Sequence, residues 1–183
     1  MKSLLPLAFI CLGSAALGAQ EVQEPRPLAL GLALAAPLHT DLGAYTGSHA
    51  VLSPSIAYAF WSHPSWWGTG HSTLAAKLDS DCILGSAGRP GATGVGLGLE
   101  STHYFRPGFT GVFLSVQVLE YEWSFPNPAG TVPPKQRSWT LTDGLSIGYR
   151  FDSRWSVAAT LKDLTGTHTP SMNTLGLGVQ ARF

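Results

Sequence analysis

Four charges stand at positions where the sequence otherwise places small residues. Glu100, Arg150, Lys162 and Arg182 each sit among Gly, Ala, Ser or Thr in runs that alternate with large apolar side chains. Side chains of this type can form a buried ion network or line a path for a polar solute. The six histidines, His39, His49, His63, His71, His103 and His168, show no close paired spacing of the kind metal ligands need. Gly94, Gly96 and Gly98 superficially look like a nucleotide loop. However, Val95, Leu97 and Leu99 alternate with them and no helix follows, so the segment reads as a strand. No nucleophile elbow, phosphate loop or dinucleotide fingerprint is present, and no cofactor is expected.

The elements that must position these charges are set by a period of two. Leu28, Leu30, Leu32 and Leu34 alternate with Ala and Gly. The pattern recurs at Leu52, Pro54, Ile56, Tyr58 and Phe60; at Val95, Leu97 and Leu99; and at Val112, Leu114, Val116 and Val118. It recurs again at Leu141, Leu145, Ile147, Tyr149 and Phe151, and at Leu175, Leu177, Val179, Ala181 and Phe183. Two further runs, 72–84 and 154–164, alternate less cleanly. A period of two scatters large side chains around a helix but gathers them on one face of a strand. The sequence therefore predicts an all-β chain of about eight strands.

The faces are unequal, one large and apolar, the other small and mixed. In a soluble sandwich the second face meets water and carries more Lys and Glu. Here only 12% of residues are charged, against roughly 25% in soluble domains. The pattern therefore predicts a closed antiparallel transmembrane barrel, apolar face to lipid and small face to a narrow lumen. No apolar run reaches the roughly 18 residues of a membrane helix. Eleven basic and eleven acidic residues give zero net charge, which argues against a nucleic-acid partner.

Residues 1–19 read as a secretory signal peptide: Lys2, an apolar core from Leu4 to Leu12, then Ala15-Ala16-Leu17-Gly18-Ala19. Residues 20–183 form the expected barrel domain. Cys11 falls in the leader, which leaves Cys82 alone and reading as an apolar filler. Arg106-Pro107-Gly108 and Asp152-Ser153-Arg154 are tight connections, whereas 125–138 is long and holds four prolines. Short inside and long outside is the asymmetry of outer-membrane barrels. The connection from Ser62 to Gly70 is expected to be longer than its inner position warrants, with Trp66 and Trp67 suited to an interfacial girdle. Glu120 and Glu122 interrupt the apolar phase of their strand. Either a β-bulge or emergence from the membrane would produce that.

The terminal Phe183 follows Leu175, Leu177 and Val179 on one face, and resembles the C-terminal signature that hands outer-membrane proteins to their insertion machinery. Gly144-Leu145-Ser146-Ile147-Gly148-Tyr149-Arg150-Phe151 and Pro170-Ser171-Met172-Asn173-Thr174-Leu175-Gly176-Leu177-Gly178 resemble the end of the lipid A 3-O-deacylase family. The resemblance implies an outer-membrane barrel that acts on lipopolysaccharide with a Ser nucleophile, a His base and an acidic orienting residue. The family's His-x-Ser-Asn position holds Lys162-Asp163-Leu164-Thr165 here, and the acidic position falls near Met172. The catalytic residues are not carried over. His168 and Ser171 are the candidates for a displaced dyad.

The sequence reading is thus a non-catalytic barrel of the Gram-negative outer membrane with a structural or interaction role. Its partners are outer-membrane lipid, lipopolysaccharide and the insertion machinery. One alternative is a lipid A-modifying acyl hydrolase. A second is a secreted soluble barrel for a small apolar ligand, which needs the large side chains to point inward.

Overall fold

The computed structural model describes residues 23–39, 41–65, 69–86, 88–126, 140–163 and 173–183. The expected leader, residues 1–19, lies outside them, as do Trp66, Trp67, His168 and Ser171. The strands are β1 (Leu28–His39), β2 (Val51–Pro64), β3 (His71–Ile83), β4 (Ala92–Tyr104), β5 (Gly111–Ser124), β6 (Thr140–Arg150), β7 (Trp155–Lys162) and β8 (Asn173–Arg182). Each pairs antiparallel with the next, and β8 returns to β1 to close an eight-stranded barrel. A short helix, α1 (Asp41–Thr46), follows β1, and a 3-10 turn spans Pro107–Phe109.

The period of two turns directly into an outside and an inside. Leu34, Ile147 and Leu177 are 61%, 59% and 72% exposed on the outer wall. Ala29, Ala57, Ala75, Thr102, Ser115 and Ser146 are buried in the lumen. An eight-stranded barrel is only wide enough inside for side chains to fill it, so small residues are what the interior admits. The large apolar side chains point outward, which removes the condition on which the soluble apolar-ligand barrel depended.

Closure rests on the last strand. The β1–β8 register runs from Ala29 opposite Arg182 to Pro37 opposite Thr174 and, after a shift, to His39 opposite Asn173, and Phe183 exchanges backbone hydrogen bonds with Leu28 at 2.8 and 3.3 Å. The Phe183 side chain stays on the outer wall, 56% exposed.

Two features differ from the sequence reading. The connection from Ser62 to Gly70 is shorter than expected, because β2 continues through His63 and Pro64 and β3 already begins at His71. A register shift between Ala59 and Trp61 changes the phase and turns Ser62 into the interior. The second concerns β5. Its register against both neighbours is regular through Glu120, so the bulge is absent. Alternation simply continues: Leu119, Tyr121 and Trp123 point inward, and Glu120 and Glu122 point outward. The inner face becomes aromatic there because Gly96 and Gly94 of β4 lie directly opposite Tyr121 and Trp123. A Cβ on Gly96 would come within 2.1 Å of the Tyr121 ring, and one on Gly94 within 2.6 Å of the Trp123 ring. The glycines that look like a nucleotide loop are therefore the notches into which two rings fit.

Candidate functional site in the lumen

The longer connections leave the strands at one end of the barrel and the short turns at the other. Between them the lumen is organised in three layers.

At the short-turn end the segment before β1 enters the barrel mouth. The Pro27 carbonyl accepts the Ala59 N–H at 2.9 Å, and the Glu24 N–H donates to Ser62 Oγ at 3.1 Å. Glu24 thereby meets Arg150 in a two-pronged ion pair at 2.9 and 3.0 Å, with both side chains essentially buried. Arg150 also donates to the Asp152 and Ser153 carbonyls and lies over the Tyr104 ring. Phe109 and Phe113 pack against Tyr104 and complete this layer. Phe109 holds a left-handed backbone at φ 56. That conformation strains a bulky residue, and burial of the ring against Tyr104 and His71 offsets it. The adjoining turn is fixed by Asp152, whose carboxylate accepts the Arg154 and Trp155 N–H groups at 2.6 and 2.8 Å. These backbone donors hold the Asp152 carboxyl below its ordinary pKa.

In the middle layer Lys77 donates to Glu100 at 2.6 Å and to Gln117 Oε1 at 2.7 Å. Hydroxyl pairs Thr102–Ser115 and Ser146–Thr160, at 2.9 and 2.8 Å, satisfy one another across neighbouring strands. A cavity of about 90 Å³ opens here, lined mainly by hydroxyl and charged side chains.

Towards the long loops, Lys162 is gripped by two carboxylates, Asp79 at 2.5 Å and Asp81 at 2.8 Å. The Tyr121 hydroxyl donates to Asp79 at 2.7 Å, and Ser53 donates to Asp81. Val51, Ile83, Ala92 and Trp123, at the long-loop ends of their strands, cluster with Leu119 and Tyr121 in an apolar layer that Phe125 joins. Tyr45 of α1 meets the Phe125 ring edge-on at 5.6 Å, which ties the first long loop to the third.

The structure therefore buries Glu100, Arg150, Lys162 and Arg182 but does not pair them with one another. Their partners are Lys77, Glu24, Asp79 and Asp81; among the described residues Arg182 has no ion-pair partner. Sequence reasoning missed all four partners. The Lys77-x-Asp79-x-Asp81 spacing was the available signal for three of them, because it places one cation and two acids on the same strand face. Glu24 carried no such signal. Lys162 is held at the last position of β7, and Asp163 leaves the strand with a left-handed backbone at φ 55. Leu164, Thr165, His168 and Ser171 lie outside the described residues. A serine–histidine contact that is described, Ser72 Oγ to His103 Nδ1 at 2.9 Å, joins cross-strand neighbours near the short turns, away from the lumen charges. Cys82 is a free thiol on the outward phase of β3. Among the described residues no group of three or more ligating side chains could hold a metal, and no helix is long and apolar enough to cross a membrane.

No family model and no curated protein matches the chain. Among solved structures it is similar to the Yersinia pestis outer membrane protein Ail in a phospholipid bilayer nanodisc. That likeness has a TM-score of 0.49 and 12% identity, and covers 86% of this chain and 99% of that one.

Proposed function

We propose that this chain is a bacterial outer-membrane barrel with a non-catalytic, structural or interaction role. The observation that carries the reading is the two-sided wall. A continuous outer surface of Leu, Ile, Val and Phe side chains surrounds an interior filled by ion pairs and rings. Such a surface is unfavourable in water, where exposed apolar area costs about 25 cal/mol per Å², and favourable against lipid chains. In this reading the short turns face the periplasm, the long loops face outward, and Phe183 on the outer wall is available to the insertion machinery. Lipid and lipopolysaccharide are the partners of the wall. With the lumen crossed by two plugging layers, the working surfaces are the wall and the loops rather than a pore.

The mature protein is expected to fractionate with outer membranes and to migrate differently on gels before and after boiling. Recovery as a detergent-free soluble monomer would contradict the proposal.

The acyl-hydrolase alternative meets a geometric obstacle at Lys162. A general base needs a free lone pair, and this ammonium is held by two carboxylates. Lipid A from cells that express the protein is expected to keep all its acyl chains by mass spectrometry. Loss of one chain, abolished by His168→Ala or Ser171→Ala, would establish the hydrolase instead.

A further inference from the structure

We propose that the lumen binds one small monovalent anion, of the size of a halide or a short carboxylate, in the cavity that Arg182 and Gln117 line. The cavity volume is about 90 Å³, and one water needs roughly 10–15 Å³ on such a measure, so the space admits a halide or a short carboxylate with water beside it.

Two observations converge on an acceptor with a negative charge. First, Arg182 is 95% buried, and among the described residues no carboxylate forms an ion pair with it. A guanidinium cannot shed its proton to escape this, and an isolated buried charge is strongly unfavourable. Second, two buried donors on the same lining, Arg182 Nε and Gln117 Nε2, have no hydrogen-bond acceptor. Gln117 cannot gain by flipping its amide, because Oε1 already accepts from Lys77.

An anion beside Arg182 supplies the missing charge and the missing acceptors together, whereas water supplies only acceptors. The Ser55 and Ser156 hydroxyls on the lining can rotate to donate to it. Asp79 and Glu100 on the same lining repel a multiply charged occupant, which restricts the site to a single charge.

The test uses the full mature chain refolded in detergent, with bromide as the probe. Bromide replaces gluconate at constant sodium and ionic strength while the thermal unfolding midpoint is followed. The expected result is a saturating rise of a few degrees in the parent, lost in Arg182→Met. Gln117→Glu keeps nearly the same shape and gives the cavity its own negative charge, so it should also abolish the bromide dependence. If Arg182→Met does not refold, Gln117→Glu decides. Anomalous diffraction from bromide-soaked crystals should place a peak against Arg182. A midpoint indifferent to bromide, a dependence unchanged in Gln117→Glu, or peaks only on the outer surface, an adventitious ion only, would each overturn the proposal.

Discussion

Lys162→Met is expected to destabilise the barrel by about 3–5 kcal/mol, the range for removing one partner of a buried ion pair. Lys162 is the cation in contact with both Asp79 and Asp81, which are 3% and 1% exposed. Lys77 shares their strand face but is already engaged by Glu100 and Gln117. Methionine restores the volume and leaves two carboxylates facing each other without a counter-charge. The cost therefore comes from the charges left behind more than from the pair that is lost. The triple variant Lys162→Met, Asp79→Asn, Asp81→Asn should recover most of the loss, because it neutralises the site rather than orphaning it. Urea midpoints of the refolded proteins, read by gel mobility without boiling, give both numbers. A single variant as stable as the parent would show that the Lys162 cluster carries no structural weight.

Ile147→Arg is expected to cost about 2–4 kcal/mol in a bilayer, the range for a cation on the lipid face at mid-depth. Ile147 is 59% exposed on the outer wall of β6, flanked by Leu145 and Tyr149 on the same face. Its neighbour Ser146 points the other way and is hydrogen-bonded to Thr160 at 2.8 Å. Ser146→Arg would thus fail differently, by crowding the lumen rather than by placing charge in lipid. The distinguishing measurement is refolding into bilayers against refolding into detergent micelles. Ile147→Arg should be penalised more in bilayers, whereas Ser146→Arg should be penalised alike in both. Equal behaviour of Ile147→Arg and the parent in bilayers would place the membrane elsewhere on the wall.

Much of the fold is written in the alternation of single strands. In β1, β4, β6 and β8 one face is mainly large and apolar and the other mainly small, so inside and outside follow from the sequence without knowledge of neighbours. β3 is harder to read for a physical reason. Its inner face carries Lys77, Asp79 and Asp81, and its outer face is diluted by Ser72, Ala76 and Ser80, so polarity no longer separates the faces. β5 misleads near its end because Leu119, Tyr121 and Trp123 point inward, which is possible only where the glycines of β4 lie opposite. That pairing is a relation between strands, and single-strand periodicity does not contain it.

The site was legible to a similar depth. Glu100, Arg150, Lys162 and Arg182 stand out because each breaks a face of small residues. Their partners do not, because ion pairs such as Glu24–Arg150, separated by 126 residues, depend on closure of the barrel and on re-entry of the N-terminal segment. Before the fold is known, nothing local distinguishes Glu24 from Glu21. That Arg182 has no ion-pair partner among the described residues is likewise a property of the assembled interior.

Which face of the wall meets lipid is tested most directly by nuclear Overhauser contacts between lipid acyl chains and protein methyl groups in nanodiscs. Leu145, Ile147, Leu177 and Val179 are exposed on the outer wall, whereas Ala57 and Ala75 are buried inside. Acyl-chain contacts are expected to the first four and none to the two alanines. Acyl-chain contacts to Ala57 and Ala75, or their absence from Leu177 and Val179, would contradict the lipid-facing assignment.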